Sequence, residues 1–164
     1  MAPLFKAGSR SDANNYRPIS ILSNLNKIVE KVIFSRLVSF LNKYGILNNF
    51  QFGFRKGFST SLALAEFYEK VLLSLDKGQA ICTILIDLSK AFDSVSRKIL
   101  LLKLYRYRVR GNLYKLIQSY LEDRSQYVCY DSTISEKVNV NIGVPQGSIL
   151  GPIPFLLLIN DLKT

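Results

Sequence analysis

The stretch "TILIDLSKAFDSV", residues 83–95, runs from β-branched apolar residues straight into an aspartate. The apolar run "AICTILI", residues 80–86, predicts a short buried strand, because such runs suit strands covered on both faces. Asp87 would then leave the core at the end of that strand. There it could bind Mg²⁺, which takes one or two carboxylates together with phosphate oxygens. An aspartate that caps the following turn or helix is the alternative interpretation of the same spacing.

A second aspartate, Asp93, follows six positions after Asp87. Residues share a helical face at separations of three or four, so these two carboxylates do not form a helical pair. For Asp93 alone we expect a structural role near the start of the next helix. The sequence contains no histidine, which excludes Ser-His-Asp catalysis, histidine general bases and His-ligated zinc.

The composition indicates a globular chain with an excess of positive charge. Lys and Arg number 22 against 12 acidic residues, giving a net charge of +10. That excess favours a polyanionic partner, nucleic acid before a membrane surface. Cys82 and Cys129 form no CxxC pair, so we expect neither a metal cluster nor a disulfide framework, and a reduced intracellular compartment fits best.

No membrane partner is expected from the hydropathy of the chain. The N-terminus has no apolar signal-peptide core. The most apolar run, "ILGPIPFLLLI" at residues 149–159, is too short for a bilayer, which needs roughly 20 apolar residues. We therefore interpret this run as buried core.

The remaining periodicity predicts helices and one hairpin around a short strand, which indicates an α+β fold with a small, largely antiparallel sheet. Ser23 or Asn24, Ser59 or Thr60, and Ser94 or Ser96 are the expected helix caps. The predicted helices cover about residues 23–44, 59–77, 94–109 and 113–121, and the hairpin covers 126–143. The apolar faces expected to be buried are Leu25, Val29, Val32, Ile33, Leu37, Phe40, Leu41 and Tyr44 in the first helix, and Leu64, Tyr68, Val71, Leu72 and Leu75 in the second.

Two loops carry residue types suited to a ligand. In "GVPQGSILGP", residues 143–152, glycines let the backbone approach a ligand closely, and Gln146 and Ser148 supply neutral donors for a base, sugar or phosphate. In "QFGFRKG", residues 51–57, two phenylalanines lie beside the basic pair Arg55 and Lys56, which suits a phosphate chain or a stacked base. An ordinary connecting loop and a solvated basic turn are the respective alternatives.

Several blocks in a fixed order carry more information than any one of them. The chain resembles the reverse transcriptase domain of non-LTR (LINE-type) retrotransposons over nearly its whole length. The matching blocks are "NNYRPISILSNLNKIVEKVIFSRL" (14–37), "QFGFRKGFSTSLAL" (51–64), "LIDLSKAFDSV" (85–95), "SYLEDRSQYV" (119–128) and "GVPQGSILGPIPFLLLINDL" (143–162).

The resemblance implies part of a right-hand polymerase fold that copies RNA into DNA. Residues 1–80 match a fingers region and residues 81–164 a partial palm, with helices packed on a small antiparallel sheet. The implied partners are an RNA template, a DNA primer and a dNTP, with Mg²⁺ as the cofactor and no membrane. The implied localisation is intracellular, in the nucleus and the cytoplasm.

By the same resemblance, Asp87 matches the first catalytic aspartate, a Mg²⁺ ligand. Phe92 matches the position that stacks under the deoxyribose and excludes a 2′-hydroxyl. Arg17 matches a basic position near the template or nucleotide, although "YRPIS" by itself indicates no function. Asp93 belongs to the same block but does not match a catalytic acid.

The two loops also acquire roles through the resemblance. Arg55, with Lys56 beside it, matches the loop that holds the incoming triphosphate. Gln146 and Gly147 match the loop that lines the nucleotide and template pocket, and Ser148 is adjacent to them. Polymerisation is an in-line displacement at phosphorus that depends on positioning and charge, so it needs no histidine.

The other catalytic acids of the family are two adjacent aspartates that follow the "INDL" block. This sequence contains no Asp-Asp pair, and Asp161 lies in the structural "INDL" block itself. We therefore expect the isolated chain to be an inactive fragment. The alternatives are a non-catalytic RNA or RNA-DNA binding remnant and an unconstrained relic.

Four positions depart from the family pattern. Pro154 stands where the family carries an apolar helix residue, which predicts a kink. Ser96 and Arg97 stand where Asp-His is frequent, and Arg108 stands where glycine is usual.

Overall fold

The computed structural model describes residues 1–162. The last two residues of the predicted partial palm, residues 81–164, therefore lie outside the described residues. Residues 1–162 form a mixture of helices and short antiparallel strands, which agrees with the α+β prediction. The helices are α1 (Asn24–Lys43), α2 (Thr60–Asp76), α3 (Arg97–Arg106), α4 (Gly111–Leu121) and α5 (Pro152–Ile159). The strands are β1 (Ala2–Phe5), β2 (Tyr16–Ile19), β3 (Ser125–Gln126), β4 (Cys129–Tyr130), β5 (Thr133–Ile134) and β6 (Val138–Asn139).

Helix starts follow the predicted serine caps. The side chains of Ser23, Ser59 and Ser96 accept hydrogen bonds from backbone amides in the first turns of α1, α2 and α3. Each cap satisfies one of the amides that a helix start leaves without an intrahelical partner. The first helix ends before Gly45, whose φ of +56° suits the left-handed conformation that follows many helices.

The hydrophobic core lies between four of the helices and the loop that leads into α5. Within the core α1 packs on α4, and α3 packs on both α4 and α5. The buried apolar residues are Ile33, Leu37, Leu41, Leu47, Val95, Leu100, Leu104, Val109, Ile117, Leu121, Val144, Leu150, Ile153, Leu156 and Leu157. The core therefore joins residues 33–47 to residues 95–157.

The buried face of α1 is narrower than the sequence predicted. Ile33, Leu37 and Leu41 are buried at a spacing of four, whereas Leu25 and Val29 are 75% and 52% exposed. Val32 and Tyr44 are exposed too. The reason is that the described residues cover α1 on one side only, along the line where α4 packs.

Helix α2 forms as predicted but buries no residue. The expected buried face is wrong, because Leu64, Tyr68, Leu72 and Leu75 are all exposed. The Ser59 cap and an ion pair of 3.1 Å between Glu66 and Lys70, one turn apart, are local interactions that support this helix.

The strands form three separate two-stranded ladders, β1 with β2, β3 with β6, and β4 with β5, all antiparallel. The predicted small antiparallel sheet is therefore borne out in kind, but it is divided into three ladders, and the core helices pack on one another. The expected hairpin exists, and β4 and β5 are joined by Asp131 and Ser132 with φ of +47° and +64°. Two positive φ values are typical of the type I′ turn, which matches the twist of a hairpin.

The predicted strand at residues 80–86 is absent, and this is the largest correction to the sequence analysis. Ile84, Leu85 and Ile86 are 80%, 92% and 84% exposed and have no regular structure. A strand needs a neighbour for its backbone N–H and C=O groups, and no segment of residues 1–162 pairs with this one. Asp87 therefore lies in an exposed irregular segment and not at the end of a buried strand.

Helix α5 carries two prolines without a break. Pro152 and Pro154 fall in its first turn, where amide N–H groups have no intrahelical acceptor, so the missing donors cost little. The predicted kink at Pro154 is wrong for this reason, and the helix continues to Ile159. None of the helices in residues 1–162 is long and apolar enough to cross a membrane.

We expect the amide hydrogens of residues 80–88 to exchange with solvent at nearly the rate of an unstructured peptide. Within residues 1–162 their N–H groups donate no hydrogen bond, whereas Ile33, Leu37 and Leu41 lie inside α1 and in the core. Hydrogen exchange followed by mass spectrometry measures both segments in one experiment. Strong protection of residues 84–86 would contradict the exposed conformation.

Candidate functional site

A cavity of about 1070 Å³ lies between the β1–β2 ladder, the turn at residues 88–93 and the loop at residues 145–148. These elements are far apart along the chain. Five of the eight predicted site residues line the cavity, namely Arg17, Phe92, Gln146, Gly147 and Ser148. The cavity is therefore where the folded chain brings most of the predicted site together.

The glycine-rich loop lies directly against the backbone of residues 92–95. The amide of Gly143 donates to the carbonyl oxygen of Val95 at 2.8 Å, and the amide of Val144 donates to that of Phe92 at 2.9 Å. A Cβ on Gly143 would come within 2.9 Å of both Cα and O of Asp93, and its φ is +84°. Only glycine fits this position without displacing the neighbouring backbone.

Asp93 orients the side chain of Gln146. Gln146 Nε2 donates to both carboxylate oxygens of Asp93 at 3.0 Å, and its backbone oxygen accepts from the amide of Ser20 at 2.8 Å. The neighbouring Gly147 has a φ of +93°, and a Cβ there would lie 3.3 Å from Ile19 Cγ2. The loop is thus held from two sides, and the link between Asp93 and Gln146 is one that sequence analysis missed.

Phe92 forms part of an aromatic cluster at the cavity wall. Its ring lies 5.5 Å from that of Phe155 in α5 and 6.1 Å, edge to face, from that of Phe54. Such pairs stabilise by about 0.5–1.5 kcal/mol beyond simple burial. Phe54 also lines the cavity, so the basic loop reaches the site through this aromatic residue.

The two cations of the basic loop do not line the cavity. Arg55 Nη1 donates to the carbonyl oxygens of Asn48 at 2.8 Å and Gln51 at 3.2 Å. Its guanidinium also lies 4.1 Å from the ring centroid of Phe58. Lys56 is exposed. Arg55 therefore holds its own loop in shape in this structure, and neither Arg55 nor Lys56 meets the other predicted site residues.

Asp87 also lies outside the cavity, although its neighbour Leu88 lines it. Within residues 1–162 no three acidic, cysteine or histidine side chains come together to hold a metal ion. Asp161 forms an ion pair with Lys103, which lowers the pKa of that carboxyl. The described residues thus gather no three-ligand metal site around Asp87.

The cavity is strongly cationic, which the sequence analysis captured only in part. Besides Arg17 it is lined by Lys6, Arg10 and Lys90, and Asp93 is its one acidic lining residue. Lys6 and Arg10 come from the segment between β1 and β2, whose basic character was visible in the sequence but whose position was not. The wall therefore combines cationic groups with aromatic rings.

A buried carboxylate holds the end of the glycine-rich loop. Glu30 in α1 is 1% exposed, and its two oxygens accept from the Tyr120 hydroxyl and from the Ile149 amide, each at 2.8 Å. Burial raises the pKa of Tyr120 to about 12. The sequence analysis missed Glu30. It lies three residues before Ile33 and seven before Leu37, which places it on the buried face of the helix.

Arg97 holds the start of the same loop. It is 9% exposed, and its Nε and Nη1 donate to the carbonyl oxygens of Gly143 at 3.0 Å and Val140 at 2.5 Å. The sequence singled out Arg97 only as a departure from the family pattern. In the structure it connects the first turn of α3 to the loop.

We expect Tyr120→Phe to lower the free energy of unfolding by about 1–3 kcal/mol, because it leaves one oxygen of the buried Glu30 carboxylate without a donor. Urea denaturation at neutral pH measures the change. Tyr114→Phe, in the same helix, is the matched control, since no hydrogen bond of its hydroxyl occurs among the described residues.

The pH dependence provides a second check on Tyr120. Its folded-state pKa is raised above the unfolded value near 10, so its contribution is complete below pH 10 and is lost as pH rises towards 12. The stability difference between the wild-type chain and Tyr120→Phe should narrow across that window. Equal stability of Tyr120→Phe and Tyr114→Phe would contradict the role given to the hydroxyl.

Comparison with known proteins identifies the family of the chain. It is 38% identical over 148 residues to the probable RNA-directed DNA polymerase from transposon X-element of Drosophila melanogaster, covering 90% of this chain and 16% of that protein. It is 33% identical over 154 residues to the RNA-directed DNA polymerase from mobile element jockey of the same organism, covering 94% of this chain and 17% of that protein. The chain thus spans only about a sixth of the length of these curated relatives.

A family-level comparison covers nearly the whole chain. Residues 6–164 match the family described as reverse transcriptase (RNA-dependent DNA polymerase). The resemblance to the reverse transcriptase domain of non-LTR retrotransposons is therefore confirmed, and the chain belongs to the reverse transcriptase family.

Proposed function

We propose that this chain supplies the nucleotide- and template-binding part of an RNA-directed DNA polymerase of a non-LTR retrotransposon. The observation that carries the proposal is the 1070 Å³ cavity, which gathers residues from three distant sequence blocks. The proposed partners are an RNA template, a DNA primer and a dNTP. The proposed localisation is that of such elements, in the nucleus and the cytoplasm.

The charge of the cavity supports a phosphate-bearing ligand. Its lining carries Lys6, Arg10, Arg17 and Lys90 against the single carboxylate of Asp93, which accepts two contacts from Gln146. A cluster of cations attracts phosphate groups strongly, and the rings of aromatic side chains can stack on bases or sugars. The same combination supports the roles proposed below for individual residues.

In this proposal Phe92 lies under the sugar of the incoming nucleotide. Its ring is fixed between Phe54 and Phe155, so a bulkier sugar could be accommodated only by moving the aromatic cluster. Gln146 and Gly147 line the nucleotide and template side of the cavity, with Ser148 next to them. Asp93 acts on the ligand only indirectly, because it orients the Gln146 amide.

The remaining predicted residues are proposed for the complete polymerase. Asp87 would be a Mg²⁺ ligand, and Arg55 with Lys56 would hold the triphosphate. Reverse transcriptases generally use divalent metal ions, which stabilise the attacking and leaving oxygens in phosphoryl transfer. Residues 1–162 form no group of three metal-ligating side chains around Asp87, so these residues alone do not complete a metal site.

We also propose that residues 1–80 correspond to a fingers region and residues 81–164 to a partial palm. Support comes from the position of the cavity, which is lined by residues of both regions. The two regions share one hydrophobic core, since Ile33 and Leu37 belong to the same cluster as Leu100 and Leu157. Because the core is shared, the division that we propose is one of function and not one between two folding units.

A second candidate function is binding of RNA or an RNA-DNA duplex without catalysis. The observation that favours it is that the cationic cavity is assembled within residues 1–162 although no acidic cluster is. The net charge of +10 supports the same class of ligand. The two predictions below separate binding from catalysis.

We expect Arg17→Gln to weaken binding of an RNA-DNA duplex by several-fold at low salt, because one phosphate-binding cation of the cavity is lost. Fluorescence anisotropy with a labelled duplex measures the affinity. The matched control is Arg36→Gln, which removes the same charge from an exposed position of α1 outside the cavity. An equal loss in both variants would indicate attraction to net charge alone and would contradict the cavity as the binding site.

We expect the purified chain of residues 1–164 to give no Mg²⁺-dependent extension of a DNA primer on an RNA template. The physical reason is the single carboxylate at Asp87 and the lack of any Asp-Asp pair in the sequence. A standard primer-extension assay measures this. Template-directed extension that disappears in Asp87→Asn would overturn the expectation.

A further inference from the structure

A second cavity, of about 680 Å³, adjoins the first one. The two cavities share Pro18, Lys90, Asp93, Pro145 and Gln146 in their walls. The second cavity continues past these residues to the β3–β6 ladder, where Arg97 and Arg124 line it. None of the roles proposed above uses either of these arginines to contact a ligand.

Arg97 carries a buried positive charge without a carboxylate partner. It is 9% exposed, and its two hydrogen bonds go to backbone carbonyl oxygens, of Gly143 and Val140. No ion pair involves Arg97 among residues 1–162. These carbonyl oxygens occupy two of its five N–H donors and do not neutralise the charge. A buried charge is costly unless an opposite charge balances it.

Arg124 adds a second positive charge to the same wall. It is half-buried, its Nη1 donates to the carbonyl oxygen of Tyr120 at 3.3 Å, and its guanidinium lies 5.0 Å from the centroid of that ring. It too forms no ion pair within the part of the chain that the structure describes. Burial, and after it the charge of Arg124, lowers the pKa of Arg97.

The surroundings of the two arginines contain little negative charge. The first turn of α3 holds Arg97 and Lys98 and no acidic residue, although the positive end of a helix dipole favours acids there. Asp93 is the one acidic residue in the cavity wall, and both of its oxygens accept from the Gln146 amide. An anion entering the cavity would therefore meet a wall in which the cations Lys90, Arg97 and Arg124 outnumber the single carboxylate.

We propose that the second cavity binds a backbone phosphate of a nucleic-acid strand whose neighbouring nucleotide occupies the first cavity, with Arg97 and Arg124 as the phosphate-binding groups. A guanidinium matches a phosphate because its planar N–H groups donate to two oxygens at once. The proposal rests on the nucleic-acid binding proposed above and adds a specific contact point. Lys90, in the wall of both cavities, lies on the path between the two ligand groups.

The proposed ligand is the phosphodiester of a strand and not a free phosphate ion, because the two cavities adjoin and share wall residues. A strand that places a base or sugar against the aromatic wall of the first cavity carries its next phosphate into the second. Inorganic phosphate has the same charged oxygens but no base or sugar to make contacts in the first cavity. The two sources can therefore be separated by experiment.

The test measures binding of a labelled single-stranded RNA to the full chain by fluorescence anisotropy over a series of salt concentrations. Arg124→Gln removes one proposed contact, and Arg36→Gln removes the same charge from an exposed site outside both cavities. Arg97→Lys keeps the charge but loses the planar set of donors. A urea melt of each variant confirms that it is folded, and calorimetry with inorganic phosphate tests the free ion.

We expect Arg124→Gln to weaken RNA binding about tenfold, in the range of a charge-assisted hydrogen bond. The slope of log K against log salt should fall by about 0.7, the value for one phosphate contact on a single strand. Arg97→Lys should weaken binding with little change in slope, and Arg36→Gln should change neither quantity to this extent.

Three results would overturn the inference. If Arg124→Gln and Arg36→Gln show the same affinity and slope while the wild-type chain binds RNA, this inference fails and the proposed function stands. If the wild-type chain binds no RNA even at low salt, both fail. If Arg124→Gln abolishes binding of inorganic phosphate but leaves RNA binding unchanged, the cavity is a site for the free ion and the contact to a strand is wrong.

Discussion

The arrangement of the candidate site depends on one buried carboxylate, that of Glu30. Its oxygens join three elements, since α1 carries the acid, α4 provides the Tyr120 hydroxyl and the glycine-rich loop provides the Ile149 amide. Burying an ionised carboxylate costs several kcal/mol unless donors replace the lost water. Here both oxygens have a donor at 2.8 Å, so the burial is compensated only while the three elements stay in place.

The loop between residues 143 and 152 is therefore held at both ends. Arg97 binds its first carbonyl oxygen, and Glu30 binds an amide near its end. Between these points Gln146 is oriented by Asp93. A loop held in this way presents its polar groups to the cavity in one conformation, so a ligand would not have to order the loop when it binds.

A packed part of the molecule contrasts with an open part. Helices α1, α3, α4 and α5 enclose the core, whereas α2 buries no residue and the apolar side chains of residues 84–86 face solvent. The first cavity lies at the border between these parts, with Leu88 and Phe54 in its wall. One side of the cavity is the glycine-rich loop, which hydrogen bonds hold in place. The other side is next to the exposed segment that carries Asp87.

Local features of the fold could be predicted from the sequence, and contacts between distant residues could not. Ser23, Ser59 and Ser96 cap their helices as expected, because capping depends on residues within one turn. The strand at residues 80–86 was predicted wrongly because a strand depends on a partner elsewhere in the chain. The pairing of Asp93 with Gln146 was missed for the same reason, since 53 residues separate them.

The close approach of Gly143 to Asp93 has a consequence for how this site can change in evolution. With 2.9 Å between a would-be Cβ and the opposite backbone, the two segments meet without side chains to absorb a shift. A change of backbone path at residues 92–95 must therefore be matched at residues 143–147, or the contact is lost. If the proposed function is correct, new sugar or base preferences would arise most readily through side chains such as Phe92 and Gln146, while the backbone beneath them stays constant.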